Sequence, residues 1–400
     1  MVSRRQLQEE GRQSSAAIKV VIVIAALAVG YVVGAYSNQI FSVVASAFGV
    51  KTYAGTLDVS TLQSTYQALK ANFDGTLDDQ KLIEGANKGM VEAAGDEYTT
   101  YMNAAEAKDF SDDLTGNIGG GVGIELGLRD DKLTVLRLLK DNPAEKAGVA
   151  VGDLLVSVND ESTDGKTVTE TVTKIRGDIG TTVKLTVLRD NTTQEFTLTR
   201  AQVNNPSVYS SVVDGIGIMS VTRFDDQTGS LARATAQDFK NQNVKAVILD
   251  LRGNGGGYIT AAQDLAGLWL DKQVVVSERT NGKVIDELRT GSNPLLAGIK
   301  TIVLVNGSSA SASEIVAGAL QDHKVATLLG EKTFGKGSVQ KLLSLPEGAE
   351  LKVTVAKWYT PNGANISKQG ITPDTTVGIE AADLTAGRDP QLDAAKAALK

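Results

Sequence analysis

Twice in its carboxyl-terminal half the chain runs an apolar strand into a turn of small residues and then into a helix. Val244-Lys-Ala-Val-Ile-Leu-Asp250 leads into Leu251-Arg-Gly-Asn-Gly-Gly-Gly257 and a helical pattern over 259–269. Thr301-Ile-Val-Leu-Val305 leads into Asn306-Gly-Ser-Ser-Ala-Ser-Ala-Ser313, after which Ile315, Val316, Ala319 and Leu320 recur at near-helical spacing. Strands this continuously apolar are covered on both faces. Strands that alternate with helices build an α/β core. A tight strand-to-helix junction can also present a hydroxyl beside the unpaired N–H groups of the helix start. The second junction is therefore a seat for a serine nucleophile. It is equally the composition of an ordinary helix cap, and four serines share it.

A serine needs a base. The chain has no cysteine and one histidine, His323, which reads as the polar end of the same helix. The remaining arrangement is a serine activated by a neutral lysine. Lys336 is the candidate, in Thr333-Phe-Gly-Lys-Gly-Ser-Val-Gln340, between glycines and flanked by apolar residues. A lysine in a dry pocket gives up its charge more easily and can act as a general base. The same setting also suits an anion-binding lysine in a glycine turn. Neither glycine turn completes a nucleotide-binding pattern. The glycine turn at 253–257 can instead line a pocket with N–H groups, as an oxyanion hole does.

Composition narrows the classes further. Without cysteine there is no disulfide scaffold and no thiolate zinc site, and one histidine cannot form a histidine metal cluster. No calcium-loop pattern is present. The net charge is -7; the stretch up to Tyr36 carries four basic and two acidic side chains, which leaves -9 on the rest. An acidic body argues against a nucleic-acid groove.

Residues 1–15 are polar with Arg4, Arg5 and Arg12, and read as a cytoplasmic tail. Ala16–Tyr36 is apolar apart from Lys19, whose stem can snorkel. Its 21 residues are long enough to cross a bilayer, and the basic flank sets the amino terminus inside. This predicts a single-pass signal anchor with the catalytic body outside the cytoplasmic membrane. The rival is a cleaved signal peptide ending near Ala45-Ser-Ala47. Residues 37–107 read as a linker and helices, with stripes through Leu62, Tyr66, Leu69 and Phe73 and through Leu82, Ile83, Ala86, Met90 and Val91. Residues 108–200 read as a small, mostly β domain. They include a glycine loop at 119–123, a short helix capped by Asn142, and a hairpin through Arg189-Asp190-Asn191. Residues 201–400 are the α/β body with a terminal helix.

These motifs together resemble the carboxyl-terminal processing, or tail-specific, protease family. The resemblance lies in Ser309-Ala-Ser-Ala-Ser-Glu-Ile-Val-Ala-Gly-Ala-Leu-Gln-Asp322, in Gly330-Glu-Lys-Thr-Phe-Gly-Lys-Gly-Ser-Val-Gln340, in Asp250-Leu-Arg-Gly-Asn-Gly-Gly-Gly257, and in a PDZ-like Ala147-Gly-Val-Ala-Val-Gly-Asp153. It implies a multidomain α+β chain: a helical lead-in, a β-rich PDZ domain and a protease core of β-β-α repeats. By that resemblance Ser311 is the nucleophile, Lys336 the base and Gln340 its supporting residue, with oxyanion donors at Gly256 and Ala312. Gly121, Val122, Gly123 and Ile124 match the carboxylate loop and peptide-binding strand, and Arg176 matches a position that couples peptide binding to the site. Backbone N–H groups of such a loop hold a terminal carboxylate while the peptide adds a strand. No cofactor is implied. The implied substrates are extracytoplasmic proteins with flexible apolar tails, and the implied partners include the membrane, a second copy and an activating partner. In the lead-in the family form has Pro where Glu97 stands, a change expected to touch a loop and not the chemistry. Two other functions are compatible with parts of this pattern: a non-catalytic membrane PDZ scaffold, and a serine hydrolase of small esters.

Overall fold

A computed structural model describes residues 57–129, 132–380, 383 and 386–400. The expected tail, anchor and most of the linker lie outside the described residues. Among the described residues no helix is long and apolar enough to cross a membrane. The chain separates after Leu82 into two units. In the first, helix α1 (Ser60–Asn72) is followed by the start of α2 (Asp79–Glu92). Lys70 and the Tyr66 hydroxyl both bond the Asp79 carboxylate, at 2.7 and 3.2 Å. Neither helix fully buries a side chain; of their stripes, Tyr66, Leu69, Leu82, Ala86 and Val91 are half-buried and Leu62, Phe73, Ile83 and Met90 exposed.

The second unit continues from α2 through a turn into strand β1 (Thr100–Met102) and helix α3 (Ala104–Thr115). Asn103 and Glu106 close a reciprocal capping box at the start of α3. A β-rich domain follows, made of β2 (Gly120–Gly121), β3 (Ile124–Arg129), β4 (Lys132–Leu138), α4 (Pro143–Lys146), β5 (Leu154–Val158), β6 (Glu161–Ser162), α5 (Val168–Ile175), β7 (Thr182–Arg189), β8 (Thr192–Thr199) and β9 (Ala201–Gln202). Its sheet runs β3-β4-β5-β7-β8, antiparallel throughout. The β7–β8 hairpin turns through Asp190 and Asn191, both at positive φ, as a two-residue turn matched to the strand twist requires. Val122, Val135, Leu155, Ile175, Leu185 and Val187 fill its core. Asn142 departs from expectation. Its side chain makes no cap; its amide donates to the Leu139, Lys140 and Asn204 carbonyls and accepts from Asn204 N–H. It ties the domain to the segment that leaves it.

The α/β body comprises β10 (Val208–Val213), β11 (Ile216–Val221), α6 (Thr228–Asn241), β12 (Ala246–Asp250), α7 (Ile259–Ala266), β13 (Val274–Thr280), β14 (Lys283–Arg289), β15 (Lys300–Val305), α8 (Ala312–Asp322), β16 (Thr327–Gly330), β17 (Ser338–Ser344), β18 (Glu350–Tyr359), β19 (Thr375–Thr376) and α9 (Pro390–Leu399). Its main sheet runs β10-β11-β12-β15-β16-β19, parallel after the first pair. The apolar runs are central strands, and Val247, Ile248, Leu249, Val303 and Leu304 are fully buried. Asp250 stands opposite Leu304 in the β12–β15 register, so the glycine turn and the serine turn leave the same edge side by side. Ligands in parallel sheets bind outside that carboxyl edge. A second sheet, β1-β18-β13-β14 with β17 on β18, brings the lead-in strand β1 against the body. The sequence pattern did not show β14, an exposed polar hairpin arm.

Arg252 locks the glycine turn to the terminal helix. Its guanidinium bonds both oxygens of Asp250 and both oxygens of Asp389 at the cap of α9, at 2.8–2.9 Å. Removing one partner leaves a poorly hydrated charge behind. Arg252→Ala should cost about 3 kcal/mol, read as a lower urea midpoint of the full chain, and Asp389→Ala should lose less because Asp250 still pairs with Arg252.

Candidate active site

The four serines of the second junction separate by partner. Ser309 and Ser313 are fully buried; their hydroxyls donate to the Leu251 and Asn254 carbonyls at 2.9 and 2.8 Å and pin one turn to the other. Ser308 is exposed at the tip. Ser311 alone lines the cleft, a space of about 640 Å³ shared with Gly255–Gly257, Lys336 and Gln340. Its backbone has φ 55° and ψ −115°, immediately before the first residue of α8. A non-glycine residue there stores about 1–3 kcal/mol of strain, the sharp strand-to-helix geometry that lifts a nucleophile out of the turn. Ala312 follows at the helix start, where N–H groups lack helical partners.

One buried side chain holds this strained turn to the segment that carries Lys336. Glu314 has no exposed surface. One carboxylate oxygen accepts from the Thr333 hydroxyl at 2.6 Å and from Gly335 N–H at 2.7 Å. The other accepts from Ser311 N–H at 2.8 Å and from Lys336 N–H at 3.0 Å. Hydrogen bonds to a charged group contribute about 1.5–3 kcal/mol each. The bond from Ser311 N–H is therefore of the size needed to offset the strain at Ser311. Gly335 has φ 95°, and a Cβ there would come within 2.8 Å of Gly370 N, so only glycine fits the approach.

Lys336 is half-buried. Burial pushes its pKa below the usual lysine range, the nearby Lys352 ammonium pushes the same way, and Glu314 acts against them. The Tyr98 ring lies 5.4 Å from Lys336 Nζ. Behind the lysine, Trp358 Nε1 donates to the Lys336 carbonyl at 2.8 Å. Trp358 is fully buried packing that also fixes the lysine's backbone.

Gln340 lies on β17, not on a helix, and its Nε2 donates to Ser338 Oγ at 2.8 Å and to Thr354 Oγ1 at 3.2 Å. Gly256 packs directly under Ser311: a Cβ there would stand 2.7 Å from Ser311 Cβ and 3.1 Å from Ala312 N, at φ 108°. One expectation is modified. The Gly256 N–H, assigned to an oxyanion, donates to Asn254 Oδ1 at 2.9 Å. That engagement removes it from the donors in this conformation; Gly255 and Gly257 flank it and line the same cleft.

In the β-rich domain, Gly121, Val122, Gly123, Ile124 and Arg176 line one groove of about 230 Å³ between β3 and the end of α5. Arg176 is exposed. Among residues sequence reasoning missed, Glu314 had a readable signal, an acid three residues after a helix-start serine. Asn254 and Tyr98 had none.

Fold and cleft define a PDZ domain joined to an α/β body with a serine and a lysine at the carboxyl edge of its sheet. Residues 215–377 match peptidase family S41, residues 120–199 the PDZ domain, and residues 36–106 the N-terminal domain of the activating protease CtpB. A carboxy-terminal-processing protease of Bartonella bacilliformis is 37% identical over 320 residues, covering 78% of this chain and 73% of that protein. The carboxy-terminal processing protease CtpA of Bacillus subtilis is 35% identical over 339 residues, covering 84% and 71%. A solved photosystem II D1 C-terminal processing protease is 27% identical with a TM-score of 0.50, covering 80% of this chain and 87% of that one. The chain belongs to the S41 family of CtpA-like carboxyl-terminal processing serine proteases. It spans 65% of the length of the staphylococcal CtpA-like relatives it matches.

Glu314→Gln replaces an acceptor oxygen with an amide that faces donors. Turnover should fall about 100-fold, the equivalent of nearly 3 kcal/mol, with the circular dichroism spectrum unchanged.

Proposed function

We propose that this protein is a membrane-anchored endopeptidase that cuts near the carboxyl-terminal tails of extracytoplasmic proteins by serine–lysine acyl transfer. The observation that carries the reading is the shared cleft. Ser311 and Lys336 both line it, their backbones meet on one buried carboxylate, and the lysine sits where its charged form is disfavoured. In the proposed cycle neutral Lys336 Nζ takes the proton from Ser311 Oγ as the oxygen attacks a peptide carbonyl carbon. The oxyanion is held by Ala312 N–H with the amide of Gly255 or Gly257. Collapse breaks the C–N bond, and Lys336 passes its proton to the leaving amine. It then takes a proton from water, which releases the acyl group from Ser311. Gln340 orients the lysine.

The groove at Gly121–Ile124 takes the substrate tail as an added strand, its terminal carboxylate on the loop N–H groups. Arg176 lines the same groove and, as the likeness implies, couples its occupancy to the site; α3 contributes Phe110, Asp113 and Leu114 to the catalytic cleft. The apolar run Ala16–Tyr36 with its basic flank supports an anchor that leaves this machinery outside the membrane. A second copy and an activating partner are proposed from the same likeness.

The test is cleavage of an unstructured reporter with a free apolar tail. Ser311→Ala and Lys336→Ala should each abolish turnover, and equal rates in all three proteins would sink the assignment. The pH profile gives a further test. Lys336 acts only when neutral, so kcat/KM rises with pH through its lowered pKa. Its neighbours are the Lys352 ammonium, the Glu314 carboxylate and the Tyr98 phenol. Lys352→Met removes a positive neighbour, stabilises protonated Lys336, and should move the acid limb to higher pH.

A further inference from the structure

The turn between α2 and β1 reaches the segments that carry Lys336 and Gln340. Asp96 Oδ2 accepts hydrogen bonds from the Thr99 hydroxyl at 2.5 Å and from the Thr354 hydroxyl at 2.6 Å. Thr354 N–H in turn donates to Thr99 Oγ1 at 3.1 Å. Two residues further on, Tyr98 lies over Lys336. The turn is held in place from β18, because Thr100–Met102 pairs with Glu350–Lys352. Glu97, the departure from the family form, stands inside this turn beside the Tyr98 hydroxyl.

The donor and acceptor order in this chain has one solution. Hydrogen bonds from Thr354 and Thr99 hold the Asp96 carboxyl below its usual range, so it is an ionised, acceptor-only group. Thr354 has one hydroxyl proton and commits it to Asp96. Toward Gln340, Thr354 Oγ1 can then only accept, and Gln340 must turn its NH₂ to it, as the 3.2 Å contact records. Ser338 Oγ receives the same NH₂ group. The amide oxygen is the end of Gln340 that neither Ser338 nor Thr354 engages, and Gln340 lines the cleft that Lys336 also lines.

We propose that Asp96 is a positioning residue for the catalytic lysine: through Thr354 it sets the orientation of the Gln340 amide, so that Oε1 and not Nε2 is offered to Lys336. An amide oxygen accepts from a lysine N–H and leaves the nitrogen lone pair aimed at the serine. The reversed amide would donate to that lone pair and block the base. The inference rests on the serine–lysine reading and names a residue of the lead-in, outside the S41-matched body, as a member of the site.

The experiment is a double-mutant cycle on the full chain, reading kcat, KM and melting temperature with the same reporter. Asp96→Asn can invert the chain by donating to Thr354, and Thr354→Val cuts it with little change of shape. Each should lower kcat about 10-fold with KM within about twofold, and each should add less than about twofold in a Gln340→Met background. Asp96→Glu, which keeps an acceptor-only carboxylate, should recover more activity than Asp96→Asn. Full kcat in Asp96→Asn and Thr354→Val, while Ser311→Ala is inactive, would overturn the positioning role alone. Losses that multiply with Gln340→Met, or that follow the melting temperature, would overturn it as well. Cleavage that survives Ser311→Ala would overturn the serine–lysine reading and the inference with it.

Discussion

The buried carboxylate of Glu314 is the contact on which the rest of the site depends. A fully buried acid is costly unless its oxygens are satisfied. Here four donors satisfy it, drawn from two segments: Ser311, and Thr333 to Lys336. The need to satisfy one charge therefore fixes the distance between two loops that the sheet alone would leave independent. It also makes the strained backbone at Ser311 affordable, since the strain and the bond that offsets it are of similar size. Separating the loops would leave the acid unsatisfied, so the serine and lysine segments are held together by the cost of an unpaired charge.

Beneath that contact the parallel sheet supplies the geometry. β12 and β15 are neighbours in register, so the turns that follow them start side by side. Ser309 and Ser313 spend their hydroxyls on the carbonyls of the glycine turn, and Asn254 spends its side chain on Val221 O and Gly256 N–H. These polar groups are buried and paired, which makes the junction rigid. Gly256 then meets Ser311 at a distance no side chain tolerates. Small residues in these turns are there because two backbones must nearly touch.

Much of this was legible in the sequence. Continuous apolar runs followed by small-residue turns gave the central strands of the body and the edge where the site sits. Alternation and turn chemistry gave the β-rich domain, including its Asp190-Asn191 hairpin. The harder features were pairings between distant segments. Nothing local marks Trp358 as the donor to the Lys336 carbonyl, because the contact depends on β18 passing behind that loop. Nothing local marks Asn142 as a tether and not a cap, since its partners sit at 139, 140 and 204. The Gly256 amide was assigned outward, and a neighbouring side chain turned it inward.

Lys336 illustrates why such distant contacts matter to the proposed mechanism. A lysine is useful here only if its charged form is disfavoured and its lone pair is aimed. Burial does the first, with Lys352 on β18 adding to it. The second needs hydrogen-bond partners of fixed polarity, and their polarity is set by whichever member of the chain cannot change its own. Hydroxyls and amides can turn round; an ionised carboxylate cannot. Glu314 plays that part for the backbone amides of Ser311 and Lys336. Asp96 is the corresponding fixed end for the Thr354–Gln340 branch. The two acids carry opposite constraints. Glu314 must stay close to the lysine segment although its charge favours protonated Lys336, whereas Asp96 fixes polarity through an intervening hydroxyl and amide. Orientation delivered through neutral groups in this way does not add a second negative charge beside a lysine that has to remain neutral.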